Sequence, residues 1–92
     1  MDQTKKWSHD SKILWRKIDD EILIMSLEKD IYYTLDGPGV IIWELLKKPV
    51  SPKKIIEELS QKFPGHKSSI EKDTLEILKE LSQENLICTA TA

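Results

Sequence analysis

The sequence contains one cysteine, Cys88, and no long hydrophobic run. A single cysteine excludes an intramolecular disulfide and a metal site built from several thiolates. A membrane-spanning helix needs about 20 apolar residues, which this chain does not provide. The polar first dozen residues lack the apolar segment of a secretory signal. We therefore expect a cytoplasmic protein that has no membrane partner.

Positive charge is also not in excess. The chain has 14 Lys and Arg against 16 Asp and Glu, which gives a formal net charge of −2. A free-standing nucleic-acid binder usually concentrates basic residues on its reading element. Residues 69–85 instead carry two lysines and five acids, a net charge of −3, and phosphate would repel a helix of this composition. The charge pattern therefore disfavours nucleic acid as a partner.

Residues that could support catalysis are isolated along the chain. His9 and His66 have no cysteine or paired carboxylate at a spacing typical of a metal site or a catalytic dyad. The serines do not stand in a nucleophile-elbow sequence. We therefore expect no metal, no cofactor and no enzymatic activity.

A length of 92 residues allows one domain. We expect a flexible N-terminal tail over residues 1–12, a folded domain over 13–88 and a C-terminal tail over 89–92. Trp7 is then a mobile aromatic in the tail. The alternative is that Trp7 docks on the domain.

Three short segments rich in apolar residues, at 13–18, 21–27 and 31–35, open the predicted domain. Tight turns at Asp19-Asp20 and at residues 28–30 separate them. Consecutive strands joined by short turns form an antiparallel meander. In the third segment alternate residues share a face, and Ile31, Tyr33 and Leu35 are expected to face the helices.

A helical pattern follows the third strand. Asp36 is expected to cap the new helix, Gly37 and Gly39 to permit a close or unusual backbone, and Pro38 to occupy the first turn. Trp43 is predicted to be the central core aromatic. The order of strands followed by helices indicates a small α+β domain.

Two further helices complete the prediction. Ser51 is expected to cap the second helix, and Ser68 or Ser69 the third. Asn85 is expected to adopt a left-handed conformation that ends the third helix.

The sequence resembles the PqqD-like family over about residues 13–88. The matching positions occur in order: Tyr33, Leu35, Asp36, Gly39, Ile42, Trp43, Leu45 and Leu46, then Ile55, Ile56 and Leu59, then Asp73, Leu75, Ile77, Leu78 and Leu81, and finally Leu86 and Ile87. The family contains the recognition elements of ribosomally synthesised, post-translationally modified peptides. Asn85 departs from the family, which commonly has glycine there, and the sequence from Asp36 to Gly39 adds a proline and a glycine to the turn.

The resemblance implies a winged-helix-like fold in which a three-stranded antiparallel sheet is followed by three helices. It also implies that the leader region of a precursor peptide binds as an added strand between the third strand and the last helix. The short chain and its doubled tyrosine look most like the stand-alone proteins of lasso-peptide biosynthesis. The implied partners are a precursor peptide and a separate leader peptidase or modifying enzyme.

The expected leader-binding residues lie on the third strand and the last helix. They are Ile31, Tyr32, Tyr33, Thr34, Leu35, Lys72, Asp73, Leu75, Glu76 and Lys79. Which flank of the helix lines the groove stays open, since Leu75 lies on one side of its apolar stripe while Asp73, Glu76 and Glu80 lie on the other. Lys72 and Lys79 could meet leader acids or simply be solvated.

Two alternatives to the adaptor of a leader peptidase remain. One is a peptide chaperone for a radical SAM modifying enzyme, as in quinone-cofactor biosynthesis. The other is a winged-helix DNA-binding regulator, which the acidic last helix disfavours.

Overall fold

The computed structural model describes residues 2–89. The elements in chain order are β1 (Trp7–His9), β2 (Ile13–Ile18), β3 (Glu21–Ser26), β4 (Ile31–Leu35), α1 (Pro38–Leu45), α2 (Pro52–Lys62), α3 (Lys67–Gln83) and β5 (Ile87–Thr89). Strands β2, β3 and β4 form an antiparallel sheet in that order, and β1 pairs with β5 in a second sheet. The predicted α+β fold, with its three-stranded sheet followed by three helices, is confirmed.

Two tight turns set the register of the three-stranded sheet. Asp19 and Asp20 alone separate the paired residues Ile18 and Glu21, and Asp19 adopts a φ of 55°. Asp30, with a φ of 54°, closes the second turn by donating its N–H to the carbonyl of Ser26 at 2.9 Å. Asp tolerates this left-handed region better than most residues, so both turns suit their sequence.

The start of α1 differs from the prediction in its cap. Gly37, not Asp36, is the N-cap residue, and no side chain caps the helix. Its φ of 52° and ψ of −129° are accessible to glycine, which explains why the turn closes without an aspartate cap. A Cβ atom at Gly39 would lie 3.3 Å from the Leu35 side chain, so the first turn of α1 packs directly on the end of β4.

Three further helix ends were predicted: the start of α2, the start of α3 and the end of α3. The first and the last agree with the structure. The Ser51 hydroxyl accepts the N–H of Lys54 at 3.2 Å and caps α2. Helix α3 begins at Lys67 with His66 as its N-cap, two or three residues before the expected serine caps, and has no side-chain cap. Asn85 has a φ of 59°, and the N–H of Leu86 reaches the carbonyl of Leu81 at 2.9 Å, as in a Schellman end.

The core lies between the inner face of the three-stranded sheet and the helices. Ile22 and Ile24 on β3 are fully buried, and Trp43 on α1 is fully buried beside them. The last helix contributes Leu78, and the chain after it contributes Leu86. The predicted role of Trp43 as a central core aromatic is therefore confirmed.

The N-terminal segment is where the structure departs most from the expected flexible tail. Residues 7–9 form β1, in which Trp7 pairs with Thr89 and His9 with Ile87. The N–H of Trp7 also donates to the carbonyl of Val50 at 2.8 Å. Trp7 is partly buried against the core, so the docked alternative describes it. Residues 90–92 of the expected C-terminal tail lie outside the described residues.

His9 attaches this strand to the core aromatic. Its ring stacks on Trp43 with the centroids 3.9 Å apart, and its Nε2 lies 2.8 Å from the Trp43 carbonyl oxygen. Trp15 meets His9 edge-on at 5.4 Å. Burial of the ring lowers the pKa of His9 below 6.5, Lys47 lowers it further, and the hydrogen bond to the Trp43 carbonyl opposes both effects.

His9 should make the stability of the domain depend on pH. Because the lowered pKa of His9 favours the neutral ring in the folded state, the unfolded chain binds more protons once the pH falls through about 6.5. We expect the free energy of unfolding to be highest above that pH and to decline below it, as measured by urea unfolding at pH 7.5 and pH 5.5. His9→Phe keeps a stacked ring and should lack this part of the decline. An equal decline in both proteins would contradict the assignment to His9.

No helix among residues 2–89 is long and apolar enough to cross a membrane.

Candidate functional site: a groove between β4 and α3

Strand β4 is an edge strand, and the register identifies which of its backbone groups are free. Ile18 and Glu21 flank the two-residue loop as the first and fourth residues of a β-turn. In such a hairpin the N–H of the fourth residue bonds to the carbonyl of the first, so Ile18 and Glu21 form a hydrogen-bonded pair. Hydrogen bonding alternates along each strand, so Ile22 and Ile24 point their backbone groups toward β4. Their partners there are Leu35 and Tyr33.

The alternate residues of β4 therefore direct their N–H and C=O groups to the open edge. These residues are Tyr32 and Thr34, whose side chains are exposed on the outer face of the sheet. Tyr33 and Leu35 lie on the inner face and pack against the core, as predicted. The unpaired backbone row is a template for another extended chain.

A groove separates this edge from α3. A cavity of about 80 Å³ lies in the groove, between inner-face residues of β4 and one flank of the helix. Its lining includes Tyr33, Leu35, Ile77, Glu80, Leu81 and Leu86. A strand added at β4 would point every second side chain into this space, because side chains alternate across a strand.

The structure brings only part of the predicted residue set to the groove. On the sheet side Tyr33, Thr34 and Leu35 line the cavity, while Ile31 is half-buried and Tyr32 is exposed on the outer face. On α3, at about 100° per residue, Asp73 lies within about 40° of Ile77, whereas Leu75 lies about 160° from it. Lys72 and Lys79 lie on that same distant side and are exposed. Glu76 falls at the margin, about 100° from Ile77.

Three residues outside the predicted leader-binding set lie on the helix flank that faces β4. They are Ile77, Glu80 and Leu81, which line the cavity. Their signal in the sequence is the spacing that they share with Asp73, at i, i+4, i+7 and i+8, which places all four on one side of a helix.

Glu84 joins the helix to the sheet at one end of the groove. The nearby Glu84 carboxylate raises the pKa of Tyr33 to about 12, because it favours the protonated phenol. Tyr33 in turn lowers the pKa of Glu84, and Lys29 lowers it further from 3.4 Å. The Lys29–Glu84 ion pair links the end of α3 to the turn before β4.

The opposite edge of the sheet is built differently. Lys17 on β2 lies on the inner side of the edge strand, and its Nζ pairs with Glu44 of α1 at 3.1 Å. An inward-pointing lysine is a common device that keeps an edge strand from pairing with another chain. Strand β4 carries no charged residue. The two edges therefore differ, and β4 is the more suitable one for strand addition.

The outer face of the sheet is apolar and open. A shallow cavity of about 420 Å³ lies on it, lined by Leu14, Arg16, Leu23, Met25 and Tyr32 among others. Leu14 is 54% exposed and Tyr32 65% exposed. Tyr32 belongs to β4, so this face adjoins the free edge.

The groove offers backbone pairing and side-chain pockets. Among residues 2–89 no three His, Cys, Asp or Glu side chains come together as a possible metal site. The arrangement of a free strand edge beside a helix suits an extended polypeptide.

Known structures share this fold. TbiB1 in complex with the TbiA(beta) leader peptide superposes with a TM-score of 0.80 at 24% sequence identity, covering 92% of this chain and 99% of that one. Lasso peptide synthetase B1 complexed with the leader peptide gives 0.77 at 15% identity, with 89% and 96% covered. The PqqD truncation of Methylobacterium extorquens PqqCD, a stand-alone recognition element, gives 0.74 at 18% identity, with 94% and 92% covered.

Sequence comparison gives the family. No curated protein matches the chain. The family model described as coenzyme PQQ synthesis protein D (PqqD) matches residues 21–87, which include β3, β4, all three helices and the start of β5. The match thus contains both walls of the groove, and the resemblance stated from the sequence is confirmed. The chain belongs to the PqqD family.

Proposed function

We propose that this protein is a non-catalytic, cytoplasmic adaptor that binds the leader region of a ribosomally synthesised precursor peptide. The leader pairs with β4 as a fourth strand. The adaptor thereby delivers the rest of the precursor to a separate leader peptidase of lasso-peptide biosynthesis. The observation that carries the proposal is the free edge of β4 beside the flank of α3.

The edge supplies general affinity. A leader strand would bond to the N–H and C=O groups of Tyr32 and Thr34, and each net hydrogen bond contributes about 0.5–1.5 kcal/mol. Such bonds do not depend on the identity of the leader side chains. They therefore hold the leader without selecting it.

Side chains supply the selection. The leader residue opposite Tyr33 would point inward, toward Ile77 and Leu81. The leader residues on either side of it would point outward, beside Tyr32 and Thr34. The inner position requires an apolar group because the wall is formed mainly by apolar side chains.

Delivery requires a second contact surface for the processing enzyme. The apolar outer face, which includes Leu14, Met25 and Tyr32, supports such a partner because it remains exposed when the edge is occupied. Binding leader and enzyme together would raise the local concentration of the cleavage site at the protease. The same logic applies to a radical SAM modifying enzyme, which is the second candidate partner and is supported by the PqqD family match.

The proposal is tested with the leader of a candidate precursor, a short peptide sought among the genes beside the one for this protein. Fluorescence anisotropy with its fluorescein-labelled leader should give saturable binding that changes little with salt. A labelled DNA duplex at low salt is the matched probe and should bind weakly. Tight, salt-dependent binding to the duplex and none to the leader would contradict the proposal.

Delivery is tested by adding the protein to a candidate leader peptidase from the same gene neighbourhood and to the full precursor. We expect cleavage to accelerate with the adaptor and to return to the basal rate when excess leader competes. Acceleration of a neighbouring radical enzyme alone would contradict the peptidase assignment and leave leader binding intact.

A further inference from the structure

Six lysines converge where the N-terminal segment crosses the link between α1 and α2. All six are exposed, and we call them the lysine patch: Lys5, Lys6, Lys47, Lys48, Lys53 and Lys54. The segments that carry them, residues 3–9 and 45–54, contain no Asp or Glu. The rest of the chain has eight Lys and Arg against all 16 acids, a formal net charge of −8. The small net charge of the whole protein therefore hides a strong separation of charge.

Backbone hydrogen bonds hold the two segments side by side. Trp7 and Val50 exchange N–H···O bonds of 2.8 and 2.9 Å, and the N–H of Lys53 donates to the carbonyl of Gln3 at 3.2 Å. The two N-terminal lysines lie between these contacts. Residues 49–52, opposite them, include two prolines, whose fixed φ limits the motion of the link. The lysine patch is thus built on a backbone that is tied at both ends.

The domain itself neutralises little of this charge. Within residues 2–89 only one lysine of the patch forms an ion pair, Lys54 with Glu58 of the same helix at 3.6 Å. Lys47 instead lies over the Trp15 ring, with its Nζ 5.4 Å from the ring centroid. Like charges held together repel one another in the free protein. A partner that presents acids would relieve this repulsion.

We propose that the lysine patch is a docking surface for an acidic face of the enzyme that processes the precursor. The inference rests on the proposed function, because only an adaptor that delivers a leader-bound precursor needs such a partner. Opposite potentials on the two proteins would speed their encounter and fix their relative orientation.

The position of the patch leaves the leader site free. Lys47 lies over Trp15 of β2, which is the edge strand farthest from β4. A leader added at β4 would lie three strand spacings from β2, about 14 Å. Charges at that distance are largely screened, since the screening length is about 8 Å at physiological salt. Leader and enzyme can therefore be bound together.

The patch also adjoins the apolar outer face of the sheet. Trp15, which carries Lys47 over its ring, is one of the residues that line the cavity on that face. An apolar area bordered by charge is the usual composition of a protein–protein interface. The patch would therefore extend the same enzyme contact that the outer face supports.

The composition of the patch favours a protein over a nucleic acid. All six cations are lysines, whereas phosphate recognition commonly uses the bidentate guanidinium of arginine. The single arginine of the chain, Arg16, lies on β2 outside the patch. The net charge of −8 on the rest of the chain would repel a polyanion that extends past the lysines. An enzyme face presents its acids locally and does not meet that repulsion.

Charge reversal within the patch tests the proposal. Lys48→Glu combined with Lys53→Glu is the patch variant. Lys62→Glu combined with Lys67→Glu is the matched control, because both of its lysines are exposed and the net charge changes equally. Lys53 and Lys62 are nine residues apart on α2, about 13.5 Å along its axis, so the control lies at the other end of the helix.

Association is measured between the labelled protein, saturated with leader, and the candidate leader peptidase from the same gene neighbourhood. The wild-type protein should bind the peptidase at low salt and lose affinity as the salt concentration rises. The patch variant should bind about tenfold more weakly at low salt, chiefly because association slows, and the control should stay within about twofold of wild type. Both variants should bind the leader as the wild-type protein does, which shows that they are folded.

Equal losses in the two variants, or no loss in the patch variant, would overturn the lysine patch as the docking surface. Leader-loaded wild-type protein that does not bind the peptidase would do the same and leave leader binding intact. A DNA duplex and vesicles of phosphatidylcholine and phosphatidylglycerol in equal parts are the competing probes. Tight binding of either one that the patch variant abolishes would overturn the protein partner in its favour. A leader that fails to bind the wild-type protein would instead overturn the proposed function itself.

Discussion

Trp43→Ala should destabilise the whole domain by about 3–5 kcal/mol, the usual cost of truncating a buried aromatic. The Trp43 side chain is fully buried and carries the stacked ring of His9 at 3.9 Å. Its loss would open a cavity between α1 and the sheet and would also release β1. Because small domains are stable by only about 5–15 kcal/mol, the effect should appear as a large fall in the urea midpoint.

Tyr32→Ala is the control for that measurement. Tyr32 is 65% exposed on the outer face, and its replacement should change the free energy of unfolding by less than about 0.5 kcal/mol. A cooperative, near-wild-type urea transition for Trp43→Ala would mean that the core is not organised around this residue.

Thr34→Pro should reduce leader affinity by about tenfold or more while the helices stay folded. The substitution removes an N–H that faces the open edge, and the proline ring cannot replace it. The bonds between β4 and β3 come from Tyr33 and Leu35, so they are not removed. Leader binding by anisotropy and helicity by circular dichroism measure the two effects separately.

Lys17→Pro is the matched control on the opposite edge. By the alternation that frees Thr34 on β4, Lys17 directs its N–H away from β3, toward the open edge of β2. This variant should lose little leader affinity. Equal losses in both proline variants would show that general distortion of the sheet, and not loss of the docking edge, explains the effect of Thr34→Pro.

The strands and helices could be predicted because their signals are local. Alternation from Ile31 to Leu35 predicted which side of β4 faces the core, and Asn85 predicted the left-handed end of α3. Both depend on a few adjacent residues and on elementary backbone geometry. The family resemblance then indicated which of the two edge strands binds the leader, a choice that strand geometry alone left open.

The N-terminal strand could not be predicted in the same way. Residues 7–9 are a tryptophan, a serine and a histidine. They form a strand because Ile87–Thr89 pair with them from the other end of the chain. No periodic pattern in three residues signals such a distant partner. His9 was for the same reason interpreted as isolated, although it contacts Trp43 and Trp15.

The helix flank was ambiguous because an amphipathic stripe has two margins. Leu75 and Asp73 border the apolar residues of α3 on opposite sides, and the sequence does not say which margin faces β4. The choice depends on how α3 is set against the sheet, which the Lys29–Glu84 ion pair helps to fix. That arrangement is set by tertiary contacts, which the pattern of residues along α3 does not show.

Amide hydrogen exchange of the protein with and without its leader tests strand addition at β4 most directly. In the free protein the N–H groups of Tyr33 and Leu35 should already be protected, while those of Tyr32 and Thr34 should exchange quickly. Saturating leader should slow exchange at Tyr32 and Thr34 and leave Lys17 unchanged. Protection at Lys17, or bound leader with no protection of Tyr32 and Thr34, would contradict docking at this edge.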